Sequence, residues 1–168
     1  MTAGGYDPNQ YPQGDPNFPN PPQFDNRGVG AQPGGLGIRF GARIIDGIIV
    51  GIVVIVLAAI FGALGSTIVT GLLSGIIGYV YFVAFDVTQG WTPGKKLLGL
   101  SVQGPNGGKP TLQQAAIRES FNVLSIIPFI GGPLGLIAII AIAITINSSA
   151  TKQGKHDEIA GGTQVLKS

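Results

Sequence analysis

The stretch RFGARIIDGIIVG, residues 39–51, lies where the chain changes from polar to almost wholly apolar sequence. Arg39, Arg43 and Asp46 occupy positions i, i+4 and i+7, so a helix places all three on one face. Charged side chains at the entrance of an apolar helix need partners, because an unpaired charge there is costly. The stretch therefore predicts a helix whose charged face packs against other charged segments of the chain.

The composition indicates an integral membrane protein. The chain has 168 residues, of which 11% are charged, and a mean hydropathy of +0.40, whereas charged residues make up roughly a quarter of a soluble domain. No charged residue occurs in 47–85 or in 120–151, and both stretches exceed the roughly 20 residues that cross a bilayer. Because the first apolar run follows a long polar tail, we expect an uncleaved anchor rather than a signal peptide.

Several functions are disfavoured by what the sequence lacks. A net charge of +2 with scattered basic residues argues against nucleic-acid binding. No cysteine is present, which removes disulfides and thiol catalysis, and one histidine alone has no second imidazole with which to share a metal ion. No nucleophile–base pair or carboxylate dyad is apparent. We therefore expect neither enzyme activity nor a cofactor or metal.

The N-terminal residues 1–37 form a separate Pro/Gly/Gln/Tyr-rich tail. They hold seven of the twelve prolines and too little apolar surface to offset the entropy of ordering, which predicts disorder. A solvated spacer is the simpler interpretation, and a docking segment for a partner is the alternative. The remaining residues, 38–168, form the predicted transmembrane domain.

The first part of that domain is predicted to be a helical hairpin. Helices over about 38–64 and 67–85 are separated by Gly65 and Ser66, which forces antiparallel packing. Each helix carries a pair of glycines four residues apart, which allows close backbone approach in a membrane. The predicted packing residues are Gly47 and Gly51 in the first helix, and Gly71 and Gly75 in the second.

The second part has two interpretations. One is a single helix over 121–146, and the other is a pair of short helices over about 111–129 and 133–149, broken at Pro128. The sequence Thr111-Leu-Gln-Gln fits a capping box and favours the pair. Two short helices make an all-α antiparallel bundle of four transmembrane helices, two long and two short, with a shallow re-entrant pair as the alternative.

The polar loop 86–110 is predicted to lie in the cytoplasm because it carries three lysines. Four spans then place the N-terminus and the C-terminus of a multi-pass plasma-membrane protein on that side as well. The segment LGLSV, followed by Asn106-Gly107, is typical of a strand entering a β-hairpin. The segment 163–166 is expected to add a strand to it.

This topology collects charged groups at the cytoplasmic face. The predicted cluster comprises Arg39, Arg43, Asp46, Asp86, Arg118 and Asp157. Asp46 is the deepest and is expected to stay ionised opposite Arg43, Arg118 or both. A structural role in fixing the helices relative to one another is favoured over a proton or cation relay, which needs ionisable groups near mid-membrane.

Four features together resemble the RDD family of small membrane proteins. They are an arginine that begins the first helix, an aspartate within it, the loop GWTPGKKLLGL at 90–100 and the ending KHDEIAGGTQV at 155–165. The family is named for one arginine and two aspartates, and the resemblance places these at Arg39 or Arg43, at Asp46 and at Asp157. It covers about residues 36–167 and departs from the family at Asp86, where relatives often carry Glu.

The resemblance marks two short motifs. The loop motif comprises Gly90, Thr92, Gly94, Lys95 and Gly99, and the C-terminal motif comprises His156, Asp157 and Thr163. Lysines of the loop suit anionic lipid headgroups, at about 1 kcal/mol each. His156 beside Asp157 suits either titration near neutral pH or a structural role in which both orient the C-terminal segment.

Two functions stay open. Small size, glycine-faced helices and a tail able to reach a partner favour a non-enzymatic accessory subunit of a larger membrane complex. The tail and domain also resemble bacterial members from actinobacteria, which include an association factor of a respiratory supercomplex. The alternative, suggested for the family, is a homo-oligomeric transporter or channel for ions or an unknown ligand that uses Asp46 with Arg43 or Arg118.

Overall fold

The computed structural model describes residues 31–127 and 129–167, so most of the predicted tail lies outside the described residues. The chain is mostly helical with one small sheet. Its elements are β1 (Gln32–Pro33), α1 (Leu36–Ile60), α2 (Thr67–Thr88), α3 (Pro93–Leu97), β2 (Leu100–Gln103), α4 (Leu112–Arg118), a 3₁₀ helix (Ser120–Ile126), α5 (Gly131–Ser148), α6 (Lys155–Ile159) and β3 (Gln164–Lys167).

The predicted helical hairpin is confirmed in α1 and α2. The Ser66 side chain caps α2 by accepting a hydrogen bond from the Val69 N–H at 3.3 Å. Helix α1 begins at Leu36 and α2 continues to Thr88, so both helices extend slightly beyond their predicted bounds on the side of the charged residues. Both are long and apolar enough to cross a membrane.

The glycine pairs do not join α1 to α2 as predicted. A Cβ built on Gly47 or Gly51 meets nothing within 4 Å, so this pair faces away from the described part of the chain. Gly75 instead approaches the 3₁₀ helix, where an added Cβ would overlap the Ile126 side chain. The reason is the rotation of α1, which turns its charged face inward and leaves its glycine face outside.

Four transmembrane helices are not confirmed. Among residues 31–127 and 129–167, three helices are long and apolar enough to cross a membrane: α1, α2 and α5. The predicted helix over 111–129 is divided into α4 and the 3₁₀ helix, which contains Ser, Phe, Asn and Val, residues of lower helix propensity. The predicted capping box is present, with hydrogen bonds in both directions between Thr111 and Gln114.

The alternative single helix over 121–146 is wrong. The chain becomes extended at Ile127, and Phe129 adopts a positive φ of 65° before α5 begins at Gly131. Pro128 in the sequence disfavours a helical conformation for the residue before it. The second half of the domain therefore has two helical segments. The first is α4 followed by the 3₁₀ helix, and the second is the regular helix α5.

The sheet has the strand order β1–β3–β2 with both pairs antiparallel. The predicted addition of the C-terminal segment to LGLSV is confirmed, with Val102 opposite Val165. The predicted local hairpin is wrong, because the turn closed by the Gly104 N–H and the Gly108 carbonyl at 2.8 Å leads into no second strand. Thr111 already caps α4, so too few residues remain for one.

This sheet places three separate parts of the chain at one end of the bundle. β1 precedes α1, β2 follows α2, and β3 follows α5. A small core of Ala42, Leu100, Val102 and Val165 fixes the sheet against α1. The charged residues near the ends of the helices therefore lie at the same end of the bundle as the sheet.

Candidate functional site

Arg118, the last residue of α4, is at the centre of a buried charge network. Its Nη1 donates to Asp86 at the end of α2, and its Nε donates to Asp157 of α6, both at 2.8 Å. The arginine side chain is 4% exposed, and both carboxylates are fully buried. One guanidinium therefore joins three elements, using the fork geometry in which arginine binds carboxylates.

Each of the two aspartates receives a second cation. Arg39 of α1 donates to Asp157 at 3.1 Å, and Lys95 of α3 donates to Asp86 at 2.7 Å. Arg39 also donates to the backbone carbonyls of Gly34, Lys152 and Val165, which ties α1 to the sheet. Buried charges are tolerated in this arrangement because both oxygens of each carboxylate have ionic partners.

A second ion pair lies beside this network. Arg43 Nη1 donates to Glu119 at 3.0 Å, and the same carboxylate accepts from the Asn122 amide at 2.8 Å. The Arg43 guanidinium lies 3.6 Å from the centre of the Phe82 ring and also faces Phe121. Hydrogen bonding and aromatic stacking together fix this arginine in the bundle.

Asp46 has different partners from those predicted. Neither Arg43 nor Arg118 binds it. It accepts hydrogen bonds from the Tyr81 hydroxyl at 2.9 Å, from the Thr92 hydroxyl and from the Gly94 N–H at 2.8 Å. The reason lies at the start of α3, where the Gly94 N–H has no partner inside the helix and donates to this carboxylate instead.

This contact depends on close backbone approach. A Cβ on Gly94 would lie 2.3 Å from the Ala42 carbonyl oxygen and 2.9 Å from the Asp46 carboxyl carbon. Thr92 donates to Asp46 and also accepts from the Lys95 N–H, so one hydroxyl both caps α3 and fixes it to α1. The glycine and the threonine together seat the loop on the first helix.

One of the comparisons with known proteins identifies a family. A model described as RDD family matches residues 33–161, well over half of the chain. The chain belongs to the RDD family. No curated protein and no solved structure gives a match. With three apolar helices of spanning length, this RDD protein is a membrane protein.

The family motifs now have locations. In the loop motif of this RDD protein, Thr92 and Gly94 hold Asp46, and Lys95 holds Asp86. Gly90 and Gly99 take positive φ angles of 74° and 67°, at the ends of the turns that flank α3. The loop motif thus binds one aspartate of α1 and one aspartate of α2.

The C-terminal motif surrounds Asp157. Thr163 donates to one carboxylate oxygen at 3.2 Å, and the Gly154 N–H donates to the other at the same distance. Of the two candidate family arginines, Arg39 is the one that binds Asp157. His156 lies edge-on to Phe121, with its Nε2 3.6 Å from Asp157.

Three participants were not predicted as site residues. Asn122 lies four residues after Arg118, on the same helical face, and Glu119 directly follows Arg118, so the positions of both were a usable signal. Tyr81 stands in an apolar run and gave no such signal, because only the rotation of α2 aims its hydroxyl at Asp46. In the described part of the chain, no three His, Cys, Asp or Glu side chains are grouped to hold a metal ion.

The surrounding charges set the ionisation of the network. Burial alone would raise the pKa of Asp157, but nearby positive charges, Arg118 foremost, outweigh it and lower the pKa to about 2. Burial lowers the pKa of Lys95, against the attraction of Asp86. Burial also lowers the pKa of His156 to about 4, which favours the structural role of this residue over the alternative of titration near neutral pH.

Acid is expected to destabilise the protein through His156. The pKa of this imidazole is about 4 when folded and 6.5 ordinarily, so between these values the unfolded chain binds the proton more readily. Stability contributed by the neutral ring is present above pH 6.5 and is lost as the pH falls toward 4. Its charged surroundings are Asp157, Glu119, Arg118 and Arg39.

The measurement is Tm in mild detergent at about pH 7.5 and about pH 5. Wild type should melt at a lower temperature at the acidic pH, and His156→Gln should lose most of that difference. An equal drop in the variant would mean that other groups carry the effect. Ionised Asp157 also stabilises the fold at both of these pH values, because its contribution is present above the ordinary pKa of 3.8 and is lost only as the pH falls from there toward about 2.

Proposed function

We propose that this RDD protein is a non-enzymatic accessory subunit of a larger membrane protein complex. The family resemblance of its tail and domain suggests a respiratory-chain supercomplex as that complex. The observation that carries the proposal is the outer face of α1, which presents a pair of glycines to the membrane without a partner in the described chain.

That face has the composition of a helix–helix interface. Gly47 and Gly51 lie one turn apart, with open space where a Cβ would stand. Ile44, Ile48 and Ile55 flank them on the same side and are 48%, 58% and 61% exposed. Small residues flanked by large apolar ones let a second transmembrane helix approach closely, where van der Waals packing drives association.

The charge network supports a structural role for the ionisable residues. The four carboxylates of Asp46, Asp86, Glu119 and Asp157 are buried, and each has hydrogen-bond partners from at least two elements. Groups held by such partners join the helices and the loop into one rigid end of the bundle. Transport or acid–base chemistry would need a group free to change partners.

We further propose that this end of the bundle faces the cytoplasm of a bacterial cell and that both termini lie there. Lys96, Lys109 and Lys155 lie at the sheet end of the chain, as the positive-inside rule requires of cytoplasmic segments. Since β1, β2 and β3 share one sheet, the chain between β2 and α5 must cross the membrane or re-enter it. The proposed route is α4 with the 3₁₀ helix as the fourth membrane segment.

A small homo-oligomeric transporter or channel is the alternative. Asp46 favours it, because this carboxylate lies in the first spanning helix and its described partners Tyr81, Thr92 and Gly94 are all neutral donors. A homo-oligomer is needed, since three or four helices alone scarcely enclose a pore. Asp46→Asn is the variant that tests this function.

The deciding experiment is purification from native membranes in mild detergent through a C-terminal tag, followed by sizing and mass spectrometry. A stoichiometric large complex is expected. Gly51→Leu should release the chain from that complex with its own Tm unchanged, because a Cβ at this position has open space around it in the described chain. Ala141→Leu, at an exposed position of α5, is the matched control and should stay bound.

Two results would contradict the accessory role. One is a particle that contains only copies of this 17.2 kDa chain. The other is equal loss of partners in Gly51→Leu and Ala141→Leu. In the first case, ion flux in proteoliposomes should be measured, and loss of flux in a folded Asp46→Asn variant would establish the transporter.

A further inference from the structure

A cavity of about 110 Å³ lies between α1 and α5, against the charge network. One wall is apolar and consists of Phe40 on α1 with Ile139, Ile142 and Ala143 on α5. The polar part of the lining, its polar wall, includes Arg39, Arg43 and His156. A cavity with one wall of each kind is suited to an amphiphilic molecule rather than to a purely apolar or purely hydrated one.

The polar wall carries more positive than negative charge. The ionised side chains that line the cavity are the cations Arg39, Arg43, Lys95 and Arg118 and the carboxylates Asp46 and Glu119. Asp86 and Asp157, which balance these cations, do not line the cavity. Among the residues that line the cavity, cations therefore outnumber carboxylates, and a negative group is favoured over a positive one.

Two polar side chains on this wall retain bonding capacity. Arg43 is 29% exposed and donates to described acceptors only through Nη1 and Nη2, so Nε is available. The Nδ1 atom of His156 is buried and has no partner among the described residues. An anionic oxygen next to Arg43 would take up the unused donor capacity of its guanidinium.

The positions of the two walls match the layers of a bilayer. Arg39 and Arg43 lie in the first two turns of α1, at the level of the sheet. Ile139 lies about 10 Å deeper than Ile146 along α5, at 1.5 Å per residue. A molecule with its charge at the membrane surface and its chain toward the interior fits this arrangement.

We propose that the cavity binds one anionic phospholipid, with its phosphate beside Arg43 and an acyl chain along Ile139 and Ile142. The cavity holds only a small part of the lipid, because its volume of about 110 Å³ is below the roughly 150 Å³ of an apolar cavity that binds one benzene. The remainder of the lipid lies outside, between α1 and α5. This lipid stays with the protein, whichever larger assembly the protein joins.

The test is native mass spectrometry of the full chain, delipidated and then titrated with phosphatidylglycerol or phosphatidylcholine. One phosphatidylglycerol should bind, with an affinity about tenfold above that of phosphatidylcholine. Ala143→Phe replaces an apolar lining residue by a larger one, leaves every charged residue in place and should abolish this preference. Ala141→Phe, on the exposed side of the same helix, is the control and should bind as wild type does.

Several outcomes would overturn the proposal. If wild type binds the two lipids with equal affinity, the cavity is not a site for an anionic lipid. This measurement uses wild type alone, so it does not depend on whether any variant folds. Undiminished phosphatidylglycerol binding by a folded Ala143→Phe places the lipid elsewhere. Inorganic phosphate that binds alone and displaces no lipid would assign the polar wall to a free anion.

Discussion

Replacing Arg118 by Met is expected to lower the free energy of unfolding by about 3–5 kcal/mol, the range for removing one partner of a buried ion pair. The methionine fills much of the space but leaves Asp86 and Asp157 each with one cation instead of two. Both carboxylates are fully buried, so water cannot replace the lost guanidinium. The measurement is unfolding in mixed detergent micelles, with Tm as a second readout.

The matched control is Lys155→Met. This lysine also pairs with a carboxylate, that of Glu158 at 2.7 Å, but the two side chains are 66% and 47% exposed. Its loss should change the free energy of unfolding by less than about 0.5 kcal/mol. Equal effects of the two substitutions would contradict the central role of Arg118. Arg118→Lys should fall between them, because an ammonium lacks the fork that reaches both aspartates.

Gly94→Ala is expected to cost about 2–4 kcal/mol, because one methyl group forces α3 away from α1. The added carbon would overlap the Ala42 carbonyl oxygen, which belongs to helix backbone and cannot rotate aside. Moving α3 also separates Asp46 from the Gly94 N–H and the Thr92 hydroxyl. Tm in mild detergent should fall, and limited proteolysis should cleave within the loop 89–99.

Gly108→Ala is the control for the glycine itself. It lies in the same polar connection, and its added Cβ meets nothing within 4 Å. This substitution should leave Tm nearly unchanged. If Gly94→Ala were equally harmless, the close approach of α3 to α1 would not be part of the native structure. Thr92→Val removes one hydroxyl without adding bulk and should have an intermediate effect.

Local features of the sequence were sufficient to predict most helices. The stretches without charge predicted a membrane protein, and the short Gly65–Ser66 connection predicted an antiparallel hairpin. The capping box at Thr111 predicted where α4 begins. These signals are reliable because hydropathy, helix caps and helix breaks are decided by residues near one another in the chain. They did not predict the 3₁₀ helix, because its geometry depends on packing against α2.

The candidate site was only partly accessible from the sequence. Six charged residues were expected to share one end of the bundle, and the structure places them there, but the partner of Asp46 was predicted wrongly. A small rotation of a helix about its own axis changes which partner a charged residue contacts. Hydrophobic periodicity does not determine that rotation. The same rotation sends Gly47 and Gly51 outward instead of against α2.

The sequence by itself therefore determined the class of protein, the family, the helical hairpin and the residues that carry charge. Only the tertiary structure decided which cation meets which carboxylate, that β2 pairs with β3 across 60 intervening residues or more, and that a cavity opens between α1 and α5. The physical reason is that these pairings join residues distant in sequence, such as Arg118 with Asp86 and Asp157. Their geometry follows from close backbone contacts such as that of Gly94 with α1, which no local pattern encodes.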